Sequence, residues 1–439
     1  MKTQKQILAA IIAAAILICM LPGVAQAAKD PAQAPVMATF YVNPNGSDQN
    51  DGLSPQTPFA SLEKARDEVR KINTHMTGDI IVYLMDGVWE LSETLRFDER
   101  DSGADGFFVR YQAAPGAKPV ISGGSRLDTD WTVAGDVTWL RGGLTAYKTP
   151  LVRNDKLRAV YINDQRASMT RKTLQPKRAV GTYRVTAGQA DWAWVSGSNS
   201  AGNVFSSSDL PANTRNPQNI ELESGSTWVK AQVCAATLQD IGNNETQVNF
   251  QMPYGAIAQT LLWNCAYSPS GRNDVTNVFE WLSKAGEFYF DQAGSMLYYI
   301  PRAGEDIRTA EVVVPRLEQL IDVRGSAPMD RYAENIVFDG IKFAYSDWNL
   351  VEVDGSHGNC TQQGCTILTK YSGQWHNDLY RAYDIPPAAI QINTAKNIRV
   401  LNGEISNTGY LGLHLENDVW DCDVTGNYIA RTGGAGDEW

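Results

Sequence analysis

Apolar and polar positions alternate through the last fifty residues of the chain, and the alternation repeats every 23 residues. Ala-Ile-Gln-Ile at 389–392 recurs as Gly-Leu-His-Leu at 412–415, and Val-Leu-Asn-Gly at 400–403 recurs as Asp-Val-Thr-Gly at 423–426. Successive side chains of a strand point to opposite faces, so each triplet has two inward apolar residues and one outward polar residue. A fixed period in the low twenties, with a glycine turn in each copy, is typical of a stacked solenoid. The repeat therefore predicts turns of a parallel β-helix.

The repeat also predicts a column of outward polar side chains. An earlier copy holds Asp322, and a further copy begins at Asp437, where the chain stops. If successive turns pair like ordinary strands, Asp322, Gln391, His414 and Asp437 lie above one another, about 4.8 Å apart per turn. Such a ladder is either a binding face or a solvated surface. A β-helix that ends within a strand exposes its core, so we expect a chain truncated at its C-terminus.

The remaining pattern predicts four segments. Residues 1–27 have a basic head, a short apolar run and small residues at a cleavage site, which indicates a signal peptide and a secreted protein without a membrane span. Residues 28–125 hold a helix that begins at Ser61 and caps the first strands. Residues 126–306 lose the repeat but keep alternating runs, which predicts an inserted, mostly β domain. Residues 307–439 return to the repeat, with a long loop at 345–383.

Composition and charge narrow the function. A net charge of -11 argues against nucleic acid as a partner and makes a polyanionic glycan less favoured. The chain has 12 Trp and 18 Tyr, residues that exported proteins use to stack on sugar rings as well as to fill cores. Four His without zinc-type spacing predict no metal cofactor. Calcium in the oxygen-rich loops at 43–48 and 50–52 is possible, but plain turns explain these loops better.

The cysteines fit an oxidising compartment. Cys19 lies in the predicted signal peptide, which leaves five. Cys360 and Cys365 are close enough in sequence to close a small loop, and Cys234 and Cys265 form a possible second bridge. The remaining cysteine, residue 422, is expected to be an unpaired thiol buried within a turn.

Several segments together carry a resemblance to a known family. The chain is similar to the exported right-handed parallel β-helix proteins, and within these it most resembles glycoside hydrolase family 141, whose members include α-L-fucosidases and xylanases acting on plant cell-wall glycans. The resemblance implies an all-β chain: a right-handed parallel β-helix with an N-terminal capping helix and an inserted mostly-β domain. The segments that carry it are 41–48, 61–70, 286–301, 315–321, 335–344, Trp348 and 386–389.

The repeat offers positions for glycosidic chemistry. Hydrolysis needs two carboxyl groups, roughly 5 to 5.5 Å apart for retention or 6.5 to 9.5 Å apart for inversion. One turn and two residues along the sheet separate Asp437 from Glu416, a diagonal of about 8 Å. We predict Asp437 and Glu416 as catalytic carboxylates, with His414 between them as a hydrogen-bonding or charge-tuning group. The alternative is an acidic, solvated terminal turn.

Four further residues are predicted to contact substrate. Asp322 and Gln391 share the outward column. Trp348 and Trp375 lie in the long loop, and either stacks on a pyranose face or pins the loop to the sheet. The expected function is a secreted enzyme that hydrolyses glycosidic bonds in plant cell-wall or similar polysaccharides. A polysaccharide lyase and a non-catalytic glycan-binding protein are the alternatives.

Overall fold

The structure is a computed structural model that describes most of the chain after residue 33. The described residues are 34–185, 195–226, 229–252, 255, 271–349, 358–362, 366–368, 383–384 and 387–433. The predicted signal peptide lies outside them. Within them, no helix is long and apolar enough to cross a bilayer.

The described residues are dominated by β-strands. The first are β1 (Val36–Val42), β2 (Asp79–Leu84), β3 (Gly87–Glu90), β4 (Leu95–Phe97), β5 (Val109–Ala113), β6 (Pro119–Ser122), β7 (Gly124–Arg126), β8 (Thr132–Val133), β9 (Tyr147–Pro150), β10 (Tyr161–Ile162), β11 (Gln165–Arg166) and β12 (Ser168–Met169). The next are β13 (Arg171–Leu174), β14 (Arg178–Val185), β15 (Val195–Ser206), β16 (Glu221–Ser226), β17 (Val229–Asp240), β18 (Glu245–Phe250), β19 (Asn273–Thr276), β20 (Glu287–Asp291), β21 (Met296–Tyr299) and β22 (Val312–Pro315). The last are β23 (Ile321–Arg324), β24 (Ala333–Glu334), β25 (Ile336–Asp339), β26 (Lys342–Ala344), β27 (Gly358–Gln362), β28 (Thr366–Leu368), β29 (Tyr383–Asp384), β30 (Ile390–Asn393), β31 (Ala395–Lys396), β32 (Arg399–Leu401), β33 (Glu404–Ser406), β34 (Leu413–Leu415), β35 (Val419–Trp420), β36 (Asp423–Thr425) and β37 (Tyr428–Ala430).

Four of the sheets pair their strands in parallel. Their strand orders are β1-β2-β5-β25-β32-β36, β3-β6-β26-β33-β37, β4-β23-β30-β34 and β24-β31-β35. Three other sheets are antiparallel, apart from the parallel pair β12-β20. Their main orders are β7-β22-β10-β11, β8-β9-β21-β20-β12 and β13-β19-β16-β17-β18-β15-β14, the last also carrying β27, β28 and β29 through β17.

This arrangement corrects the fold expected from the sequence. The expected single right-handed parallel β-helix is wrong, because the strands form several separate sheets, both parallel and antiparallel. The 23-residue repeat covers only part of the chain. Between residues 126 and 306 most pairs are antiparallel, including the hairpin of β20 and β21, in which a short turn returns the chain beside the preceding strand. The domain boundaries at 125 and 306 stay a prediction.

The helix predicted near residue 61 is present, and it is the one α-helix with assigned bounds in the described part of the chain. Helix α1 (Leu62–Val69) begins after Ser61, whose side chain accepts a hydrogen bond from the backbone N–H of Lys64. This N-cap satisfies one of the N–H groups that the first turn leaves without a helical partner. Leu62 and Val69 are buried among the core residues of the parallel sheets, so the amphipathic pattern identified the correct face.

The four parallel sheets enclose one apolar core. Phe338 on β25 is 2% exposed, and its ring packs within 5.3 Å of Phe97 on β4, 5.9 Å of Tyr111 on β5 and 6.2 Å of Phe343 on β26, centroid to centroid. These contacts join strands of three different sheets. Burying aromatic surface is the largest single contribution that one side chain makes to such a core.

A turn of the antiparallel part is fixed to the parallel part by a carboxylate. Asp164, in the turn between β10 and β11, accepts hydrogen bonds from Lys342 Nζ at 3.2 Å, Tyr345 Oη at 2.5 Å and Asn407 Nδ2 at 2.8 Å. Its backbone φ is 63°, the left-handed region that Asp tolerates in tight turns. Lys342 lies on β26, so the carboxylate links two sheets of different type.

We expect Phe338→Ala to lower the free energy of unfolding by about 3–5 kcal/mol, because it removes a fully packed ring and leaves a cavity. Urea unfolding followed by tryptophan fluorescence measures the change. Val152→Ala is the matched control, since Val152 is 84% exposed and the loss should stay below about 0.5 kcal/mol. Equal effects of the two substitutions would contradict the description of the core.

Candidate active site

Parallel pairing brings three of the predicted site residues side by side. Asp322 on β23 is directly opposite Gln391 on β30, and Gln391 is opposite His414 on β34. The flanking residues Ile321 and Ile390 are fully buried, so alternation places the polar residues on the other face of this sheet. The column predicted from the repeat is thus present at these three positions.

A second polar column lies two residues farther along the same strands. Arg324 on β23 is opposite Asn393 on β30. Glu416 directly follows β34, and its backbone N–H donates to Ile392 O at 2.8 Å, which continues the parallel pairing. Because side chains two residues apart share a face, this column stands beside the first. The two columns together are called the polar face: Asp322, Arg324, Gln391, Asn393, His414 and Glu416.

The Glu416 carboxylate is the centre of the polar face. Its Oε2 atom accepts hydrogen bonds from Asn393 Nδ2 at 2.6 Å, Gln391 Nε2 at 2.9 Å and Arg324 Nη2 at 3.2 Å. Burial acts to raise the pKa of Glu416, but these three donors and the charge of Arg324 lower it overall. The side chain is 31% exposed, so an ionised carboxylate is held in place and remains accessible.

Gln391 fixes the orientation of its neighbours. Its Oε1 accepts from the backbone N–H of Ala388 at 3.0 Å, which directs Nε2 toward Glu416 and toward His414 Nδ1 at 3.2 Å. An amide nitrogen only donates, so Nδ1 is the acceptor and the neutral ring carries its proton on Nε2. Gln391 is only 6% exposed, and its two contacts therefore position groups more accessible than itself.

Arg324 joins the two carboxylates of the polar face. Its Nε lies 3.3 Å from Asp322 Oδ1, while its Nη2 contacts Glu416. Two carboxyl groups that touch one guanidinium are no farther apart than the upper limit for paired catalytic carboxyl groups, roughly 9.5 Å. Arg324 and Asn393 were not predicted as site residues. The signal was in the sequence, because each stands two residues after a predicted member of the column.

Trp348 lies at a different place. Its ring faces the guanidinium of Arg158, with Cζ at 5.0 Å from the ring centroid. The described contacts connect it to this arginine and not to the polar face. The sequence placed Trp348 in the long loop, where it either stacks on a pyranose face or pins the loop to the sheet, and its contact with substrate stays a prediction. Asp437 and Trp375, the two other predicted site residues, lie outside the described residues.

A second carboxyl cluster, which sequence reasoning missed, lies beside Trp348. Asp347 forms an ion pair with Arg153, and Arg153 Nη2 also contacts Asp155 at 2.6 Å. Glu318 Oε1 accepts from the backbone N–H of Asn349 at 2.8 Å. Burial raises the pKa of both Glu318 and Asp347, and the nearby negative charges add to the effect. No periodic signal marks these residues, because they come from loops that meet only in the fold.

The described residues contain no group of three or more His, Cys, Asp or Glu side chains arranged to hold a metal ion. In the oxygen-rich loops, Asp48 accepts from the backbone N–H groups of Ala60 and Ser61, each at 2.9 Å. Asp51 accepts from Leu53 N at 3.1 Å and Thr57 Oγ1 at 2.7 Å. These carboxylates stabilise the turns in which they lie.

The predicted disulfides cannot be followed through the fold, since Cys265 and Cys365 lie outside the described residues. Cys422 carries a thiol that is partly buried against the core of the parallel sheets, as its position within the repeat predicts. Burial raises the pKa of this thiol, so it is a poor nucleophile at neutral pH.

Comparison with known proteins gives a structural likeness. A solved structure described as a glycoside hydrolase is similar with a TM-score of 0.69 and 21% sequence identity, over 89% of this chain and 65% of that chain. A second solved structure, described as the complex structure of XylC with xylose, aligns over the same fractions of the two chains at 11% identity. Its TM-score of 0.29 is too low to indicate a common fold. No protein-family model and no curated protein matches. The chain thus spans about two thirds of the length of a glycoside hydrolase whose fold it shares.

Proposed function

We propose that this protein is an exported enzyme that hydrolyses glycosidic bonds of a polysaccharide or oligosaccharide. The observation that carries the proposal is the Glu416 carboxylate, held ionised by Asn393, Gln391 and Arg324 on the accessible polar face. The shared fold with a glycoside hydrolase supports the reaction class. The resemblance to glycoside hydrolase family 141 favours plant cell-wall glycans, and the N-terminal leader pattern favours secretion.

Glu416 takes the role of base or nucleophile in this proposal. A carboxylate with a lowered pKa stays ionised at the pH where a sugar substrate is bound, which both roles require. His414 stands two residues before it, in contact with Gln391, and in this proposal its free ring nitrogen hydrogen-bonds a sugar hydroxyl. Gln391 and Asn393 act as positioning residues, since both are largely buried and reach the substrate only through Glu416.

The second carboxyl group has two candidates. Asp322 and Glu416 both contact Arg324 on the same face, and this link supports Asp322 as the second acid. Asp437 stays the partner predicted from the repeat. No cofactor is part of the proposal, because two carboxyl groups suffice for the reaction.

The activity is tested by product analysis with a panel of fucosylated pectin and xylan fragments. The proposal expects free sugar without an unsaturated ring. An ultraviolet-absorbing unsaturated product would instead identify a lyase, and retention of glycan without turnover would identify a binding protein. Either of these two results contradicts the proposal.

We expect Glu416→Gln to reduce kcat/KM on the substrate found in that panel by on the order of 10²–10⁴-fold, because the amide neither accepts a proton nor attacks the sugar. Glu334→Gln is the matched control: Glu334 lies half-buried on β24, in a different parallel sheet. Unchanged kcat/KM in the Glu416 variant, with both proteins equally folded by circular dichroism, would remove Glu416 from the mechanism.

Asp322→Asn and Asp437→Asn separate the two candidates for the partner. We expect the loss of a true partner to reduce kcat by on the order of 10²-fold or more, and the other substitution to change it less than about ten-fold. Steady-state kinetics on a substrate with an activated leaving group adds a second readout. Such a substrate needs no protonation of the leaving group, so it rescues the variant that lacks the acid.

Asn393→Ala should shift the pH dependence of the reaction. The substitution removes the 2.6 Å hydrogen bond that lowers the pKa of Glu416, so that pKa rises. Glu416 must be ionised to act, and the acidic limb of the kcat/KM profile should therefore move to higher pH. The check is a pH–rate profile of both proteins. A uniform loss of rate at every pH, with the limb in place, would show that Asn393 does not act through Glu416.

A further inference from the structure

A cavity of about 870 Å³ lies in the antiparallel part of the molecule, away from the polar face. Strands β11, β12 and β13 supply most of its wall. Arg158, the end of β19 and residues 284–287 at the start of β20 supply the rest. Five of the lining side chains are cationic and one is a carboxylate: Arg158, Arg166, Arg171, Lys172, Lys284 and Glu287. The chain has a net charge of -11, so the positive charge of this cavity is opposite in sign to that of the chain as a whole.

One lining residue, Arg158, belongs to a buried cluster of ion pairs. Arg158 and Lys156 both form ion pairs with Glu221, and all three residues are less than 9% exposed. Both cations thus contact the Glu221 carboxylate away from water. Among the described residues, Arg158 Nε and Nη2 have no hydrogen-bond partner, and burying donor atoms in that way costs free energy. A negative charge brought into the cavity would offset part of that cost.

The remaining charges of the cavity leave its mouth positive. Lys172 and Lys284 are exposed, and neither forms an ion pair within the described residues. Lys172 Nζ lies 4.8 Å from the ring centroid of Trp281, which holds the ammonium group at the edge of the cavity. The carboxylate of Glu287 is directed into the protein, where it accepts from the backbone N–H groups of residues 283 and 284 at 2.9 and 3.0 Å.

Arg171 contributes less, because it is already paired with Asp274 at 2.7 Å. Positive and negative groups of the cavity thus differ in accessibility. The cations at the mouth face solvent, whereas the nearby carboxylates accept hydrogen bonds from the protein. Fields from like charges add inside a concave surface with low-dielectric walls, so such a cavity attracts anions more strongly than the same charges on a flat surface.

We infer that this cavity binds the anionic group of an acidic saccharide, a carboxylate or a sulfate, with Lys172 and Lys284 at its mouth and Arg158 in its wall. The carbohydrate part of the assignment rests on the proposed function, since a glycan-degrading enzyme meets acidic sugars on the same polymer. The anion-binding part rests on the charges alone. The site is distinct from Glu416. It binds a charged sugar unit of the polysaccharide, whereas Glu416 acts at the bond to be cleaved.

The test is isothermal titration calorimetry with three probes: a galacturonic acid trisaccharide, the corresponding neutral galactose trisaccharide and inorganic sulfate. The measurement uses the full chain carrying Glu416→Gln, so that turnover cannot remove the probe. We expect the acidic trisaccharide to bind and the neutral one to bind at least ten-fold more weakly. Binding should weaken further as salt is raised, because exposed charges are screened within about 10 Å at 0.1 M.

The double substitution Lys172→Gln and Lys284→Gln should raise the Kd of the acidic trisaccharide by about ten-fold, the combined effect expected of two exposed charges. Lys118→Gln is the matched control, since Lys118 is equally exposed and lies beside β6, outside the cavity. The control should bind like the parent protein.

Three results would overturn the inference. These are no binding of the acidic trisaccharide, equal binding of the neutral one, and an equal effect of the control substitution. Sulfate that binds as tightly as the acidic trisaccharide would overturn the saccharide assignment and leave a simple anion site. None of these results depends on catalysis, so failure of the cavity and failure of Glu416 as a catalytic group are measured separately.

Discussion

Parallel strand register is the constraint on which the polar face depends. Pairing of β23, β30 and β34 places equivalent positions of distant segments about 4.8 Å apart, and alternation sends every second side chain to the same side. A shift by one residue would turn Gln391 into the apolar core and Ile390 and Ile392 onto the polar face. Burial of those two isoleucines therefore fixes the position of the amide that holds Glu416.

The electrostatics of the molecule follow from how each charge is solvated. Glu416 keeps a low pKa because donors replace the water that burial removes, whereas Glu318 has only one backbone donor and its pKa rises. The same dependence on solvation holds for the cations of the basic cavity. Five cationic side chains line that cavity, so the net charge of -11 gives no guide to the potential at that place.

The limits of pattern reasoning are visible at two places. The alternating pattern between residues 126 and 306 predicted strands without the repeat, and the structure shows that strands β8–β21 of this region pair mainly antiparallel. Alternation of apolar and polar residues predicts a strand with one buried face, but it does not indicate whether the neighbouring strand is parallel or antiparallel. Trp348 was predicted as a substrate contact of the long loop, and its ring faces Arg158, which lies some 190 residues earlier in the sequence. The choice between parallel and antiparallel pairing, and the destination of a loop, both depend on long-range contacts.

The sequence by itself determined the strands of the repeat, helix α1 and the column of Asp322, Gln391 and His414. Each follows from a period of two, 3.6 or 23 residues, and such a period can be recognised in the sequence without knowledge of the fold. Only the tertiary structure decided that Arg324 joins Asp322 to Glu416, that Glu318 lies beside Asp347, and that five cations line one cavity. Those arrangements unite residues without a common period, and their proximity is a product of packing between sheets.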